Sequence, residues 1–249
     1  MKISRTAWED YISQLREINE AAAEEIQLYL DKNGMARTKE LLDYSNLIAK
    51  KYGAQAGEVA ANMYDAIAQL EGVNVAAAVP AEVPQYSEVA KTISGTLKIG
   101  NPKVVSEALA TLVKKTGTDT MLKNASRDRA EFAWVPNGDT CAYCMAVASN
   151  GWREASPQNL ASQHSHLHAN CDCTFAVRFK KTTSVAGYKP EEYKKIYDNA
   201  EGTTSKEKIN SIRREQYAEN KDEINAQKRQ EYAERKERLE GKSETTNKH

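Results

Sequence analysis

The chain has little that would let it live in a membrane or outside the cell. None of its 249 residues belong to an apolar run of about 18 or more, the length that a spanning helix needs. The opening Met1-Lys-Ile-Ser-Arg-Thr-Ala-Trp-Glu-Asp has no apolar signal core before its first charged amphipathic segment, so export by a standard signal peptide is not expected. Cysteine is scarce, and all four fall between positions 141 and 173, where a disulfide scaffold would spread them along the chain. A reducing, cytosolic folding compartment fits that clustering. Net charge is also absent, with 35 basic against 35 acidic residues. The balance hides an asymmetry: residues 1–177 hold 17 basic and 21 acidic groups, and residues 178–249 hold 18 and 14. Only the C-terminal part favours polyanions, and weakly. A mean hydropathy of −0.70 with 28% charged residues leaves too few apolar side chains to fill the whole chain with core, so part of it should form an exposed, extended element.

What is present reads first as helix. Thr6 to Glu9 has the form of a capping box, and Trp8, Ile12, Leu15, Ala22, Ile26 and Tyr29 then recur at helical spacing until Asn33-Gly34. A second helix is expected after Thr38 through Leu41, Leu42, Tyr44, Leu47 and Ile48 to Gly53. A third carries Val59, Met63, Ile67 and Leu70 to Gly72. Pro80 and Pro84 make Val73 to Pro84 an extended connection, and two further short helices follow. Asn101-Pro102 caps the second of these, with a stripe of Val105, Leu109, Leu112 and Val113. At Arg129 the apolar period changes to two. Ala130, Phe132 and Trp134 form a half-buried strand that ends at the turn Pro136-Asn137-Gly138, and Thr174 to Phe179 alternates again.

Between those strands lies the chemistry. Cys141-Ala-Tyr-Cys144 is followed by His164, His166 and His168, then by Cys171-Asp-Cys173. A Cys-x-x-Cys turn brings two sulfurs to one metal, and a Cys-x-Cys on extended backbone puts two more on one side with Asp172 facing away. One structural zinc per chain is therefore expected. Cys141, Cys144, His168, Cys171 and Cys173 compete for its four places, and His164 and His166 are outer groups. Several rival readings fit less well. Four unrelated thiols would cluster this way only by chance. A redox Cys-x-x-Cys opens a helix in a βαβ setting that this sequence lacks. A catalytic zinc keeps an open position beside a base, whereas here ligands are in surplus and the only acids in the window are Glu154 and Asp172. An HNH-like nuclease needs a further ligand histidine, and none follows Cys173 before His249.

The segment from Thr203 to Glu240 has neither Gly nor Pro, and about half of it is charged. Arg214-Glu-Gln-Tyr-Ala-Glu-Asn-Lys221 is echoed 15 residues later by Arg229-Gln-Glu-Tyr-Ala-Glu-Arg-Lys236. Ile209, Tyr217, Ile224, Tyr232 and Leu239 make a drifting stripe too thin to bury the helix in a core, so an exposed helix, or one laid against a partner, is expected. The fold class is thus mainly α. A multi-helix body over residues 1–126 is expected to lead into a small zinc-stabilised β module over 127–181, then a long charged helical arm with a disordered end over 182–249.

Trp134-Val-Pro-Asn-Gly-Asp-Thr-Cys-Ala-Tyr-Cys-Met-Ala-Val-Ala-Ser-Asn-Gly151, with His168-Ala-Asn-Cys-Asp-Cys173 and the strand after it, resembles the C-terminal part of the minor head proteins of tailed bacteriophages, the Mu F and SPP1 head-morphogenesis family. Cys141, Cys144, His168, Cys171 and Cys173 fall on that family's Cys-x-x-Cys and His-x-x-Cys-x-Cys positions. The likeness covers roughly residues 129–180; Asn150 departs from the Arg that many relatives carry before the Gly, and the charged arm lies outside it. The resemblance implies a non-enzymatic minor capsid protein, made in the host cytoplasm and held in few copies in the head interior near the portal vertex. Portal and capsid proteins would be its partners, with at most weak DNA contact through the arm. The alternative is a zinc-containing nucleic-acid-binding protein, which the interleaving of acid and base along the arm disfavours.

Overall fold

The computed structural model describes residues 2–138, 140–160 and 171–223, and beyond these 225, 226, 228–230, 232 and 233. His164, His166 and His168, together with Ile224 and Leu239 of the arm stripe, lie outside the described residues. Helix α1 (Arg5–Asn33) starts from Ser4, whose Oγ accepts the Ala7 N–H at 3.1 Å. The cap thus falls ahead of the Thr6–Glu9 pattern, because extended backbone at Ser4 already frees a hydroxyl for the first turn. Trp8, Ile12, Leu15, Ala22 and Ile26 are buried, as their spacing predicts.

Helix α2 (Thr38–Glu71) is one element where the pattern suggested two. Gly72 does terminate it in the left-handed conformation (φ 60°), but Gly53 stays inside the helix. A Cβ at Gly53 would stand 3.1 Å from Thr116 Oγ1, and one at Gly57 3.3 Å from the Pro80 ring. These glycines serve close packing, which outweighs a helix-propensity loss of about 1 kcal/mol each.

Residues 73–85 then run without regular structure, as the prolines require, and find their backbone partners on side chains. Asn124 accepts the Val79 N–H at 3.0 Å and donates to the Val79 carbonyl at 2.9 Å; Thr120 accepts from Ala81 at 2.9 Å; Arg127 donates to the carbonyls of Ala76 and Ala77. An extended segment lying against a helix has no ladder, so its polar groups must be met this way or by water.

Helix α3 (Tyr86–Leu97) packs on α2, and α4 (Pro102–Arg127) is capped by Asn101. Far from being short, α4 has 26 residues and is buried around much of its circumference, between α1, α2 and α3 with sheet strands against its second half. Polar Lys114, Thr116, Thr118, Thr120 and Asn124 are buried along with its apolar stripe.

The sheet is antiparallel. Strand β2 (Glu131–Val135) is central, with β3 (Arg153–Glu154) on one edge and β4 (Thr174–Arg178) on the other, pairing Trp134 with Phe175 and Glu131 with Arg178. Rather than half-buried, β2 is buried on both faces, because α4 and the helix after the turn both pack against it. Phe175 meets Phe132 and Trp134 edge-on at centroid distances of 5.5 and 4.7 Å. At the end of β4 the buried Glu71 carboxylate accepts the Phe179 N–H at 3.1 Å and the Lys180 N–H at 2.5 Å, which ties the C-terminus of α2 to the sheet. A two-residue strand β1 (Lys2–Ile3) pairs in parallel with β5 (Ser184–Val185). One hydrophobic cluster runs through α1, α2, α4, β2 and β4 and includes three of the cysteines.

Three helices close the C-terminal side: α5 (Ala142–Ala148), α7 (Pro190–Asn199) and α8 (Ser205–Glu219), with the single turn α6 (Pro157–Leu160) between strands. Thr204 and Glu207 form a reciprocal capping box at the start of α8. The first part of the arm is docked, contrary to the expectation of a stripe too thin to bury. Ile212, which the stripe of Ile209, Tyr217 and Ile224 passed over, is 2% exposed and clusters with Ala142 and Ala200, with Ile209, Met145 and Tyr197 packed against them. No helix among the described residues is long and apolar enough to cross a membrane.

Truncating Ile212 to Ala should therefore lower the unfolding free energy by about 2–3 kcal/mol, as for other buried large-to-small changes. A urea titration followed by far-UV circular dichroism measures it; a change within about 0.5 kcal/mol would mean that α8 contributes nothing to the fold.

Candidate metal centre

After β2, Gly138 turns the chain with φ 63°, and Cys141 follows in extended conformation as the N-cap of α5. Because Cys144 lies in the first helical turn, its N–H reaches back to Cys141 Sγ at 3.5 Å. Small residues let this helix lie close: Ala142, Ala146 and Ala148 are buried, and Tyr188 Oη donates to the Ala148 carbonyl at 3.0 Å. Cys171 and Cys173 arrive from the other side, on extended chain leading into β4, with Asp172 turned outward to Arg16 at 3.5 Å.

The sulfurs of Cys144, Cys171 and Cys173 all lie within 4.8 Å of one another and are buried. Cys144 and Cys171 are 3.4 Å apart, far beyond a disulfide bond of about 2.05 Å and near the edge of about 3.8 Å that a tetrahedron with metal–sulfur bonds of about 2.3 Å would have. All four cysteines are free thiols, and Cys141 is half-buried at the edge, hydrogen-bonded to Cys144. The structure thus brings three of the five expected ligands together, places Cys141 beside them, and His168 falls outside the described residues.

Lys114 of α4 was not foreseen. It is 7% exposed, and its ammonium donates to the carbonyl oxygen of Cys171. The one signal in the sequence is its place next to Leu112 and Val113, inside an apolar stripe rather than on a charged face. Its effect is electrostatic. The Cys171 thiol is pulled far down by hydrogen bonds from Cys144 and Cys173 and by the nearby Lys114 charge. Cys144 is pushed up, first by its hydrogen bonds to Cys141 and Cys171 and then by burial. Cys173 is pushed up to about 12: a hydrogen bond with Cys144 lowers it, but its bond to Cys171 and burial win. Of the three, Cys171 is thus the sulfur whose ionised form is most favoured, with Cys144, Cys173 and the Lys114 ammonium around it. A bound soft divalent cation would favour that form throughout, releasing the remaining protons and holding three or four sulfurs as thiolates. Such thiolate donors suit zinc.

A mainly helical body with a buried thiol cluster that could hold a metal ion is the class that fold and site define. The model of the VG15 protein family matches residues 2–200, so the chain belongs to that family, a viral or phage protein family. The match takes in the helical body, the sheet, the thiol cluster and α7, and leaves α8 outside. No curated protein and no solved structure matches the chain.

Replacing Lys114 by Met removes a positive charge that favours the Cys171 thiolate. In metal-free protein, the pH at which a native thiol first becomes reactive to an alkylating agent should then be higher than in the wild type, since the thiolate is the nucleophile. An unchanged titration would mean that the thiols alone hold that charge.

Proposed function

We propose that this protein is a non-enzymatic minor capsid protein of a tailed phage, acting in head morphogenesis from the head interior or portal vertex, with a single structural zinc. The observation that carries the reading is the convergence of Cys144, Cys171 and Cys173 inside the same hydrophobic cluster as the helical body. A metal there joins the Cys141–Cys144 turn to the start of β4, a role for a closed structural site, whereas catalysis asks for an open coordination position. Membership of a viral or phage family and the likeness of the Cys-x-x-Cys and His-x-x-Cys-x-Cys segment to head-morphogenesis proteins support the virion role. Portal and capsid proteins are the partners it implies. The nucleic-acid reading draws no support from the C-terminal helices, where Lys189, Lys194 and Arg214 each face an acid, Glu192, Asp198 and Glu201.

Protein purified without added metal should contain one zinc per chain. Exchanging Cys144 for Ser should release it and lower stability, because structural zinc contributes on the order of 10 kcal/mol to the sites it holds. Elemental analysis showing much less than one metal ion per chain, with all four thiols titrating freely in the native state, would sink the zinc site.

The virion role has its own test. Purified phage heads, emptied of DNA, should retain the protein in few copies and yield crosslinks to the portal. Heads that lack it, while free protein accumulates in the lysate, would overturn the assignment.

A further inference from the structure

The four sulfurs are not equally reachable. Cys144, Cys171 and Cys173 are buried, at 0%, 8% and 0% exposed, while Cys141 is half-buried and lines a groove of 800 Å³ between α5, α7 and α8. Thr140, Met145, Tyr193 and Tyr217 surround it there. A small polar oxidant of the peroxide class enters such a space without unfolding, whereas the close-packed core behind Cys141 admits none. Once a metal is bound, every coordinating sulfur is a thiolate, so charge no longer ranks the sulfurs and access does.

Cys141 also has a partner in place. Cys144 is the hub of the cluster: its N–H donates to Cys141 Sγ at 3.5 Å, its thiol is hydrogen-bonded to Cys141, and its sulfur lies 3.4 Å from that of Cys171. An oxidised Cys141 therefore meets a second sulfur within its own turn, ahead of any from the far half of the site. The backbone on either side of Cys141 is anchored, since Gln216 donates to the Thr140 carbonyl at 2.7 Å and Ala142 clusters with Ile212. Those anchors hold the turn while the two sulfurs close on each other.

We propose that Cys141 is a peroxide-sensitive thiol that forms a disulfide with Cys144 and thereby expels the metal. The Cys141 thiolate attacks one peroxide oxygen; the O–O bond breaks, a sulfenic acid forms and hydroxide leaves. The Cys144 sulfur then attacks the Cys141 sulfur; the S–S bond forms, the S–O bond breaks and a second hydroxide leaves. Two thiolates and one hydrogen peroxide thus give one disulfide and two hydroxides, which solvent protonates to water. The sulfurs lose two electrons and the peroxide gains them. The metal keeps only Cys171 and Cys173 of its sulfurs and dissociates, and a dithiol reductant restores the site. The release rests on the single-zinc reading; the disulfide does not. No βαβ setting is needed, because the protein is its own target rather than an oxidoreductase of others. On the virion reading, the site is loaded in reducing surroundings and emptied in oxidising ones.

The test uses the full chain as purified, with its zinc measured first. Hydrogen peroxide is titrated in beside a chromogenic zinc chelator, and the protein is then blocked, digested with trypsin and mapped by mass spectrometry. Trypsin leaves Cys141 and Cys144 together in residues 130–153, and Cys171 and Cys173 together in residues 154–178. The 130–153 peptide should lose two hydrogens, zinc should appear in step with that loss, and dithiothreitol should reverse both. Cys141→Ser should slow the release by about tenfold or more, because the remaining sulfurs are buried. Should that substitution itself empty the site, the wild-type map still decides. A 130–153 peptide that gains oxygen without losing two hydrogens, a Cys144–Cys171 crosslink between the two peptides as the first product, or release from Cys141→Ser at the wild-type rate would each overturn the proposal. Protein purified without zinc would end the metal reading and the release with it, whereas zinc present and no 130–153 disulfide would end the switch alone.

Discussion

The burial of α4 is the constraint on which the other elements depend. A helix enclosed on several sides offers little solvent to its polar side chains, so most depend on partners within the protein, although the buried Thr118 Oγ1 has none. Asn124 and Thr120 meet this need by holding the extended connection between α2 and α3, and Lys114 meets it by holding the backbone of Cys171. Small residues make the enclosure possible. A Cβ at Gly117 would stand 3.2 Å from the carbonyl oxygen of Ala56, so α2 and α4 touch along their backbones. That closeness also explains why Gly53 and Gly57 lie within α2 instead of ending it.

The thiol cluster inherits its position from the same helix. Cys171 enters the cluster just before β4, and β4 is fixed on one side by its pairing with β2 and on the other by α4. Cys144 comes from a short helix packed on β2, so the two halves of the ligand set are carried by neighbouring strands of one sheet. A metal bound there would join two parts of a continuous core rather than fold a separate unit. The buried ammonium of Lys114 suits that arrangement, because a site with three or four thiolates around a divalent cation is left with net negative charge in a poorly solvated place.

The C-terminal helices show how a charged segment can be partly structural. Ile209 and Ile212 lie three apart and form a short apolar edge that α5, α7 and Ala200 complete. From Arg214 to Glu219 the side chains are mostly exposed, while Gln216 donates to the Thr140 carbonyl and Tyr217 lines a groove beside Thr140, Cys141 and Tyr193.

The elements whose side chains meet their own neighbours along the chain were legible from the sequence alone. Periods of 3.6 and two revealed the helical body and the strands flanking the cysteines, prolines marked the connection after Gly72, and spacing brought Cys144, Cys171 and Cys173 into one expected site. Local chemistry decides periodicity, caps and the paired cysteines within each half of the site, while the meeting of the two halves, Cys144 and Cys171, spans 27 residues. Tertiary structure alone decided the rest. Gly53 reads as a helix end until α4 lies against it; Lys114 reads as solvated until Cys171 arrives from 57 residues away. Likewise, β2 reads as half-buried until a helix covers each face, and Ile212 reads as a stray apolar residue until α5 supplies Ala142. In each case the deciding partner is distant in sequence, and the free energy of burying the pair exceeds the local preference that the sequence pattern records.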